Sequence, residues 1–334
     1  MSQPAAPLLS VVVPVYNGAK YIPNAFASLK RAVATLPAAD RALVEVILCD
    51  NHSTDDTIAL AEASRPDCAY RVIAPPTFYD NRCKNWDFGL RAAAGTWMMM
   101  LHADDMLSDG GIVSLFSAIR RPTPQSAVLI EGRHRDFTEN DVPPTDLKPR
   151  WSVPSLVSGD GLRRGPLSFF CPFVPFITMR RAVYEKIGGL NTNYELIQDW
   201  DLWVRFLAEG DLLLVPDEVG CWRVHGTTEK YNRIFMREHL DLAYRMPELV
   251  PALSADAARY SVTFQRAKVR HSFPNEPIED FMTGVKAASV TLTEAEIAAS
   301  RDNPEAVLVA GNKKVSQGLM TLRAAGALRL LTAR

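Results

Sequence analysis

Five short apolar runs, each followed by a polar cluster or a helix-length segment, occupy the first 131 residues and leave few folds open. Leu9 to Val15 is rich in β-branched residues and passes through Pro14 into Tyr16, Asn17 and Gly18, the mark of a buried strand running into a loop. A helix is predicted over Ala19 to Leu36. Val44 to Cys49 repeats the pattern and is followed by Asp50, Asn51 and His52, with a helix expected from Ser53 and Asp55 and Asp56 in its first turn. Tyr70 to Ala74 reads as a third strand, Lys84 to Ala94 as a helix ended by Gly95, and Thr96 to Leu101 as a fourth strand leading into His102, Ala103, Asp104 and Asp105. Ser108 can cap a helix reaching Ile119, and Ala127 to Glu131 supplies a fifth strand. Strands and helices alternating at this pitch imply an α/β fold, an open and mostly parallel sheet with helices on both faces. Ligands of such sheets sit beyond the carboxyl ends of the strands. The polar clusters at 16–17, 50–51 and 104–105 should therefore meet at one crevice.

The chain has 334 residues, 47% of them apolar, enough for a substantial core. Lys and Arg number 37 against 38 Asp and Glu, so no global charge draws the protein to nucleic acid, and anion binding must be local. The five cysteines (Cys49, Cys68, Cys83, Cys171 and Cys221) are odd in number and form no CxxC pair, which argues against zinc or dithiol chemistry and fits a reducing cytosol. The opening MSQPAAPLLSVVVPV lacks a basic stretch, so no signal peptide is expected. The apolar segment Leu167 to Met179 is interrupted by Pro172 and Pro175 and falls short of the roughly 20 residues a spanning helix needs.

Between Thr138 and Arg164 the prolines 143, 144, 149 and 154 and Gly159 predict a long loop or lid. Order is expected to resume with a strand over Phe176 to Met179, a short helix from Arg181 to Ile187 stopped by Gly188 and Gly189, and an amphipathic helix over Asp199 to Ala208. Two strands follow, Leu212 to Val215 and Val219 to Val224, and helices beyond Glu238 are separated at Pro251, Pro274 and Pro304. The last stretch, Lys313 to Arg334, mixes basic residues with Leu and Ala, a composition suited to an anionic lipid surface, to a partner helix or to packing on its own domain.

Asp104 and Asp105 most need explaining. Adjacent carboxylates facing a crevice repel unless a cation or hydrogen bonds intervene, and oxygen ligands suit Mg²⁺ or Mn²⁺. A solvated turn that caps a helix is the alternative.

The segments VVVPVYNG, VILCDNHSTDDT, KNWDFGLRAAAGTWMMMLHADD and GGLNTNYELIQDWDLWVRFLAEG, the last followed by WRVHG, resemble in type and order the motifs of glycosyltransferase family 2. The resemblance runs from about Leu9 to His225. No GxGxxG follows the first strand, which disfavours a dinucleotide-binding dehydrogenase. The resemblance implies the GT-A fold, with a Rossmann-like, mostly parallel central sheet, and an inverting enzyme that transfers sugar from a nucleoside-diphosphate donor to an acceptor hydroxyl. It implies a glycosyltransferase domain over 1–235, divided into a nucleotide-sugar half (1–135) and an acceptor and catalytic-base half (136–235), with a helical appendage over 236–334.

By this resemblance Pro14 and Tyr16 line the nucleobase, and Asp50 accepts a hydrogen bond from the imide of uracil or thymine. Asn51 stands where relatives often carry a second Asp. Arg82 and Asp87 lie in a donor-side segment, whereas Trp86 reads as core. His102, Ala103 and Asp104 match the family's DxD motif with its first acid replaced. Asp104 would hold Mn²⁺ or Mg²⁺ against the diphosphate, His225 would complete the metal shell, and Arg223 would neutralise phosphate. Asp199 matches the catalytic base, after Gln198 in place of an acid. Asp105 would support the metal ligand from behind or fall on the acceptor side, and Trp200 shares with Trp203 and Phe206 a helix face that reads mostly as core, its alternative being part of an acceptor platform. The expected partners are a nucleoside-diphosphate sugar, UDP- or dTDP-linked, and a glycan or lipid-linked acceptor, with no nucleic acid. The setting implied is cytoplasmic, with peripheral contact at the inner face of the membrane and a role in bacterial cell-surface polysaccharide synthesis. The competing readings are a non-catalytic nucleotide-sugar-binding protein on the same fold and a nucleotidylyltransferase, although the latter's glycine-rich loop is absent.

Overall fold

The structure is a computed structural model that describes residues 6–120, 125–138, 153–172, 176–224, 233–285 and 289–332. Its nine strands are β1 (Leu9–Val15), β2 (Val44–Asp50), β3 (Ala69–Ile73), β4 (Trp97–Met100), β5 (Met106–Leu107), β6 (Ala127–Phe137), β7 (Ser155–Val157), β8 (Ile177–Arg180) and β9 (Asp211–Arg223). Its α-helices are α1 (Ile22–Ala34), α2 (Ala38–Arg41), α3 (Thr57–Ala63), α4 (Arg82–Arg91), α5 (Gly111–Arg120), α6 (Gly159–Arg164), α7 (Arg181–Lys186), α8 (Gln198–Phe206), α9 (Arg233–Leu249), α10 (Ala255–Ser272), α11 (Glu294–Asp302) and α12 (Pro304–Thr332). Two compact units emerge: Met1–Pro154 with Val174–Thr192 and Leu212–Gly226, and Ser155–Phe173 with Asn193–Asp211 and Thr227–Arg334. This division differs from the one expected at 235, because the segment around α8 groups with the C-terminal helices.

In the first unit the strand order is β3-β2-β1-β4-β8-β6-β9-β5. The β1–β2, β2–β3 and β1–β4 pairs are parallel, and β4–β8, β6–β8 and β5–β9 are antiparallel. The fold is thus α/β with a mixed sheet whose parallel half carries the expected alternation. Every residue of β1 and β2 is buried, as a parallel strand covered on both faces requires. Pro14 survives inside β1 for a local reason. The Val12 carbonyl accepts from Leu101 N–H at 2.9 Å and so faces β4, and Pro14, two residues on, faces the same way beyond the last β4 pair at Met100. Its missing N–H costs no ladder bond.

Three expectations are corrected. Helix α3 begins at Thr57 rather than Ser53, because residues 53–57 bind the β1 loop instead of starting a helix. Strand β6 continues past Glu131 to Phe137, since Arg135 donates to Glu218 at 2.7 Å and Arg133 to the Pro216 carbonyl at 3.2 Å, which gives these polar side chains partners along β9. The two strands expected at 212–215 and 219–224 are one continuous β9. Most of the predicted lid, 139–152, lies outside the described residues, while its end forms β7 and α6.

The second unit is built on α9 and α10, joined by the clusters Ala243, Tyr244, Ala258 and Val262 and Met236, Leu240, Val269 and Phe281. Helix α12 packs against α10 and β7, so the C-terminal basic segment does cover its own unit. Among the described residues no helix is long and apolar enough to cross a membrane. Gly326 sets the close approach: a Cβ there would lie 2.2 Å from the Leu156 carbonyl oxygen, a backbone atom that cannot swing aside. Gly326→Ala should therefore destabilise this unit by roughly 1–3 kcal/mol despite alanine's better helix propensity. An unchanged melting temperature would refute that packing.

Candidate active site

The register of β1 and β2 brings two polar clusters side by side. Val15 pairs with Asp50, so Tyr16 and Asn17 leave the sheet beside Asn51 and His52. The loops are then laced together. Asn17 N–H donates to Ser53 Oγ at 2.8 Å, Thr54 N–H donates to Asn17 Oδ1 at 2.8 Å, Gly18 N–H to Thr57 Oγ1 at 2.8 Å, and Ala19 N–H to Asp55 Oδ2 at 3.0 Å. Asp50 is 3% exposed; its Oδ2 accepts from Ser53 N–H at 2.9 Å, while Oδ1 is buried without a hydrogen-bond partner. An acceptor left over at a strand end, where buried polar atoms are normally satisfied, is suited to a ligand N–H.

Asn51 does different work. Its amide nitrogen donates to the Tyr79 carbonyl at 2.8 Å and its oxygen accepts from Tyr79 N–H at 2.9 Å. Its polar atoms are spent on holding the β3–α4 loop, to which His52 adds a bond of 2.9 Å at the Pro75 carbonyl. That clamp brings Phe78 to 5.0 Å from Tyr16, ring centre to ring centre. The two rings are 50% and 49% exposed, an aromatic surface beside the Asp50 cluster. Phe78 was not singled out in the sequence; an aromatic amid Pro75, Pro76 and Thr77 was the available signal.

Around the Asp104 turn the contacts are dense. Arg82 lies over the Trp86 ring at 5.3 Å, and Trp86 meets His102 edge-on at 5.0 Å, so Trp86 packs within this cluster. Burial lowers the His102 pKa, and Arg82 lowers it further, against the opposing pull of Asp104; the ring is thus biased toward its neutral form. Ala103 Cβ lies 3.9 Å from where a side chain on Gly18 would begin, which puts this turn beside the β1 loop. Asp104 is partly exposed, whereas Asp105 is 1% exposed.

Of the two roles expected of Asp105, its burial and contacts fit support of the Asp104 turn, where it acts as a latch. Its Oδ1 accepts from Arg223 N–H at 2.8 Å, and burial, with Asp104 adding to it, pushes its carboxyl well above the usual range. Arg223, 2% exposed, donates from Nε to the Asp104 carbonyl at 2.9 Å and lies between the rings of Tyr21 (4.9 Å) and Phe137 (4.4 Å). It therefore shapes the turn that presents Asp104. Asp87 is likewise engaged by the scaffold. Its Oδ1 accepts from Tyr184 Oη at 2.6 Å and Leu190 N–H at 3.0 Å, and its Oδ2 from Arg91 Nε at 2.6 Å. Gly189, at φ +80°, lets the chain pass this carboxylate, since a Cβ there would lie 2.4 Å from Oδ1. His225 lies outside the described residues.

In the second unit, Asp199 is exposed in the first turn of α8 and accepts from Trp200 N–H at 2.8 Å. Its neighbours are buried. Trp200, 1% exposed, donates from Nε1 to the Leu167 carbonyl at 2.8 Å and packs on His239 at 5.3 Å, which fits the core reading of its helix face rather than the acceptor platform. Gln198 is 3% exposed. Asp201 is 1% exposed and pairs with Arg205 at 2.7 Å and 2.6 Å. Asp201→Asn should consequently lower stability by about 3 kcal/mol, because it removes one partner of a largely buried ion pair. Chemical denaturation would read the loss, and an unshifted midpoint would count against the pair.

Comparison with known proteins agrees with this architecture. The model of the glycosyl transferase family 2 matches residues 10–188. The chain is 26% identical over 209 residues to a PGL/p-HBAD biosynthesis glycosyltransferase of Mycobacterium tuberculosis, covering 63% of this chain and 73% of that protein. It is 25% identical over 283 residues to the succinoglycan biosynthesis protein ExoO of Rhizobium meliloti, covering 81% and 75%. In fold it is similar to residues 1–349 of S. aureus TarS in complex with UDP-GlcNAc, with a TM-score of 0.60 at 15% identity over 95% of this chain and 90% of that one. It is also similar to the mannosyltransferase PcManGT of Pyrobaculum calidifontis in complex with GDP-Man and Mn²⁺, with a TM-score of 0.52 at 17% identity over 93% and 87%. With the family model covering more than half of its length and the α/β sheet built as described, the chain belongs to glycosyltransferase family 2.

Proposed function

We propose that the protein is an inverting glycosyltransferase that uses a uridine or thymidine diphosphate sugar and builds a cell-surface glycolipid or polysaccharide. The buried Asp50 Oδ1 beside the exposed Tyr16–Phe78 pair is the observation that carries the donor reading. A pyrimidine imide N–H supplies the donor this oxygen needs, and an aromatic face suits the base. Relatives named for PGL/p-HBAD biosynthesis, for succinoglycan biosynthesis and, in Myxococcus xanthus, for O-antigen biosynthesis support the acceptor class.

The chemistry divides among a few side chains. Asp199 takes the proton of the acceptor hydroxyl as it attacks the donor C1, and Asp104 faces the diphosphate. The residues fit a divalent cation held jointly by protein and substrate. Among the described residues no three potential ligands cluster, yet Mg²⁺ and Mn²⁺ are commonly held by one or two carboxylates together with phosphate oxygens. Asp104 supplies such a carboxylate, and burial, which disfavours the charged form of His102, suits a neutral ring beside it. Bound there, the cation would supply Lewis-acid stabilisation of the leaving diphosphate. Asp105 and Arg223 hold the turn that presents Asp104.

The test is a panel of nucleoside-diphosphate sugars assayed for transfer to lipid-linked and soluble acceptors, with competition by the free diphosphates. UDP or dTDP should outcompete ADP and GDP, and Asp50→Asn should narrow that preference by roughly 10-fold or more, the cost of an unmade hydrogen bond at a buried site. A preference for GDP would refute the base pocket. Tight donor binding without transfer to any acceptor, or hydrolysis, would favour a non-catalytic binding protein.

A further inference from the structure

Helix α9 grips the chain from Tyr194 to Trp200 at successive points. The Tyr194 hydroxyl donates to Asp241 Oδ2 at 2.7 Å and accepts from Arg245 Nη1 at 2.7 Å. One carboxylate oxygen of Glu238 accepts from Glu195 N–H at 2.7 Å, and the other from Leu196 N–H at 2.9 Å and Ile197 N–H at 3.2 Å. The next residue, His239, lies against Trp200. Helix α8 starts immediately afterwards at Gln198, with Ile197 at its N-cap supplying no side-chain cap of its own. Three consecutive N–H groups ahead of the helix therefore converge on a carboxylate from another helix. Glu238 is 5% exposed, and burial raises its pKa while the three N–H groups pull it back.

We infer that Glu238 is a positioning residue for Asp199: by gathering these three N–H groups it sets the height and rotation of the first turn of α8, and with them the place of the Asp199 carboxylate. The inference rests on the reading of Asp199 as the base. A carboxylate suits the task because it has two acceptor oxygens and no donor, whereas Gln would turn an NH₂ group toward at least one of the three N–H groups. The position of α9 itself depends on other contacts, since Met236, Leu240, Ala243 and Tyr244 anchor it in the apolar clusters of this unit. Disturbing Glu238 thus acts first on the turn it holds. Catalysis is sensitive to displacements of this size, and a shift of about 1 Å in a reacting group can cost about 100-fold in rate.

A double-mutant cycle on the full-length enzyme tests the role, using Glu238→Gln, Asp199→Asn and the two together, with turnover at saturating donor and acceptor, donor dissociation constant and melting temperature measured for each. Glu238→Gln should lower turnover by about 10-fold or more with donor affinity within about twofold of wild type. Glu238→Asp, which keeps the charge on a shorter arm, should restore part of the loss. In the Asp199→Asn background the further substitution should change residual turnover less than about twofold, because a residue acting through the base has nothing left to position. An equal loss in both backgrounds would make Glu238 merely structural and overturn the inference. Full turnover in Glu238→Gln alongside collapse in Asp199→Asn would overturn the positioning role and leave the base intact. Full turnover in Asp199→Asn would remove the base assignment and the inference with it. Should Glu238→Gln not fold, Glu238→Asp carries the same cycle: a loss of turnover that disappears in the Asp199→Asn background supports the role, and one that persists overturns it.

Discussion

Asp199→Asn is expected to lower turnover by about 10² to 10⁴-fold while leaving the donor dissociation constant close to its wild-type value. The amide keeps the shape of the side chain, and its oxygen can still accept the Trp200 N–H bond that Asp199 makes at 2.8 Å. The change therefore removes proton acceptance while keeping that bond. Single-turnover measurement on an authentic acceptor, with donor binding followed by calorimetry, separates the two quantities. Turnover equal to wild type would defeat the base assignment. Asp201 is not a neutral control for this experiment, since its ion pair with Arg205 makes it a stability residue. A better control is Asp56→Asn, an exposed change in the other unit whose side chain makes no capping bond to α3.

Asp104→Ala is expected to weaken diphosphate affinity in the presence of Mn²⁺ by about 100-fold and to abolish the difference made by adding EDTA. A partly exposed carboxylate facing a diphosphate repels it, so binding improves only when a cation lies between them. Calorimetric titration of UDP into wild type and variant, with Mn²⁺ and with chelator, reads both effects. If the two proteins bind UDP equally under both conditions, Asp104 holds no metal. The neighbouring Asp105→Ala should behave differently and register mainly as a fall in stability, because it leaves the buried Arg223 N–H without its acceptor.

Much of the sheet edge where the polar clusters gather was legible in the sequence because parallel strands announce themselves. A strand buried on both faces must be apolar throughout, and the point where it stops being so marks the edge of the sheet. Val15 to Tyr16, Cys49 to Asp50 and Leu101 to His102 are such points, and parallel pairing in register places the three ends together. What a polar residue at that edge does was not legible. Asp50 and Asn51 are adjacent and chemically similar, yet one keeps a buried acceptor atom unused and the other spends both ends of its amide on Tyr79. Asp104 and Asp105 divide in the same way, one partly exposed and one latched to Arg223.

By itself the sequence determined the alternation of strands and helices, the edge at which polar clusters gather, and the order of motifs that marks the family. These follow from local burial and turn chemistry, which operate within a few residues along the chain. Only the tertiary structure decided that Phe78 joins Tyr16, that Asp87 is taken up by Tyr184 and Leu190, and that Glu238 reaches back to hold the turn before α8. Each of those contacts joins residues between about forty and one hundred positions apart. Hydrogen bonds of this kind depend on where backbone donors fall in space, a quantity that hydrophobic period and spacing do not encode.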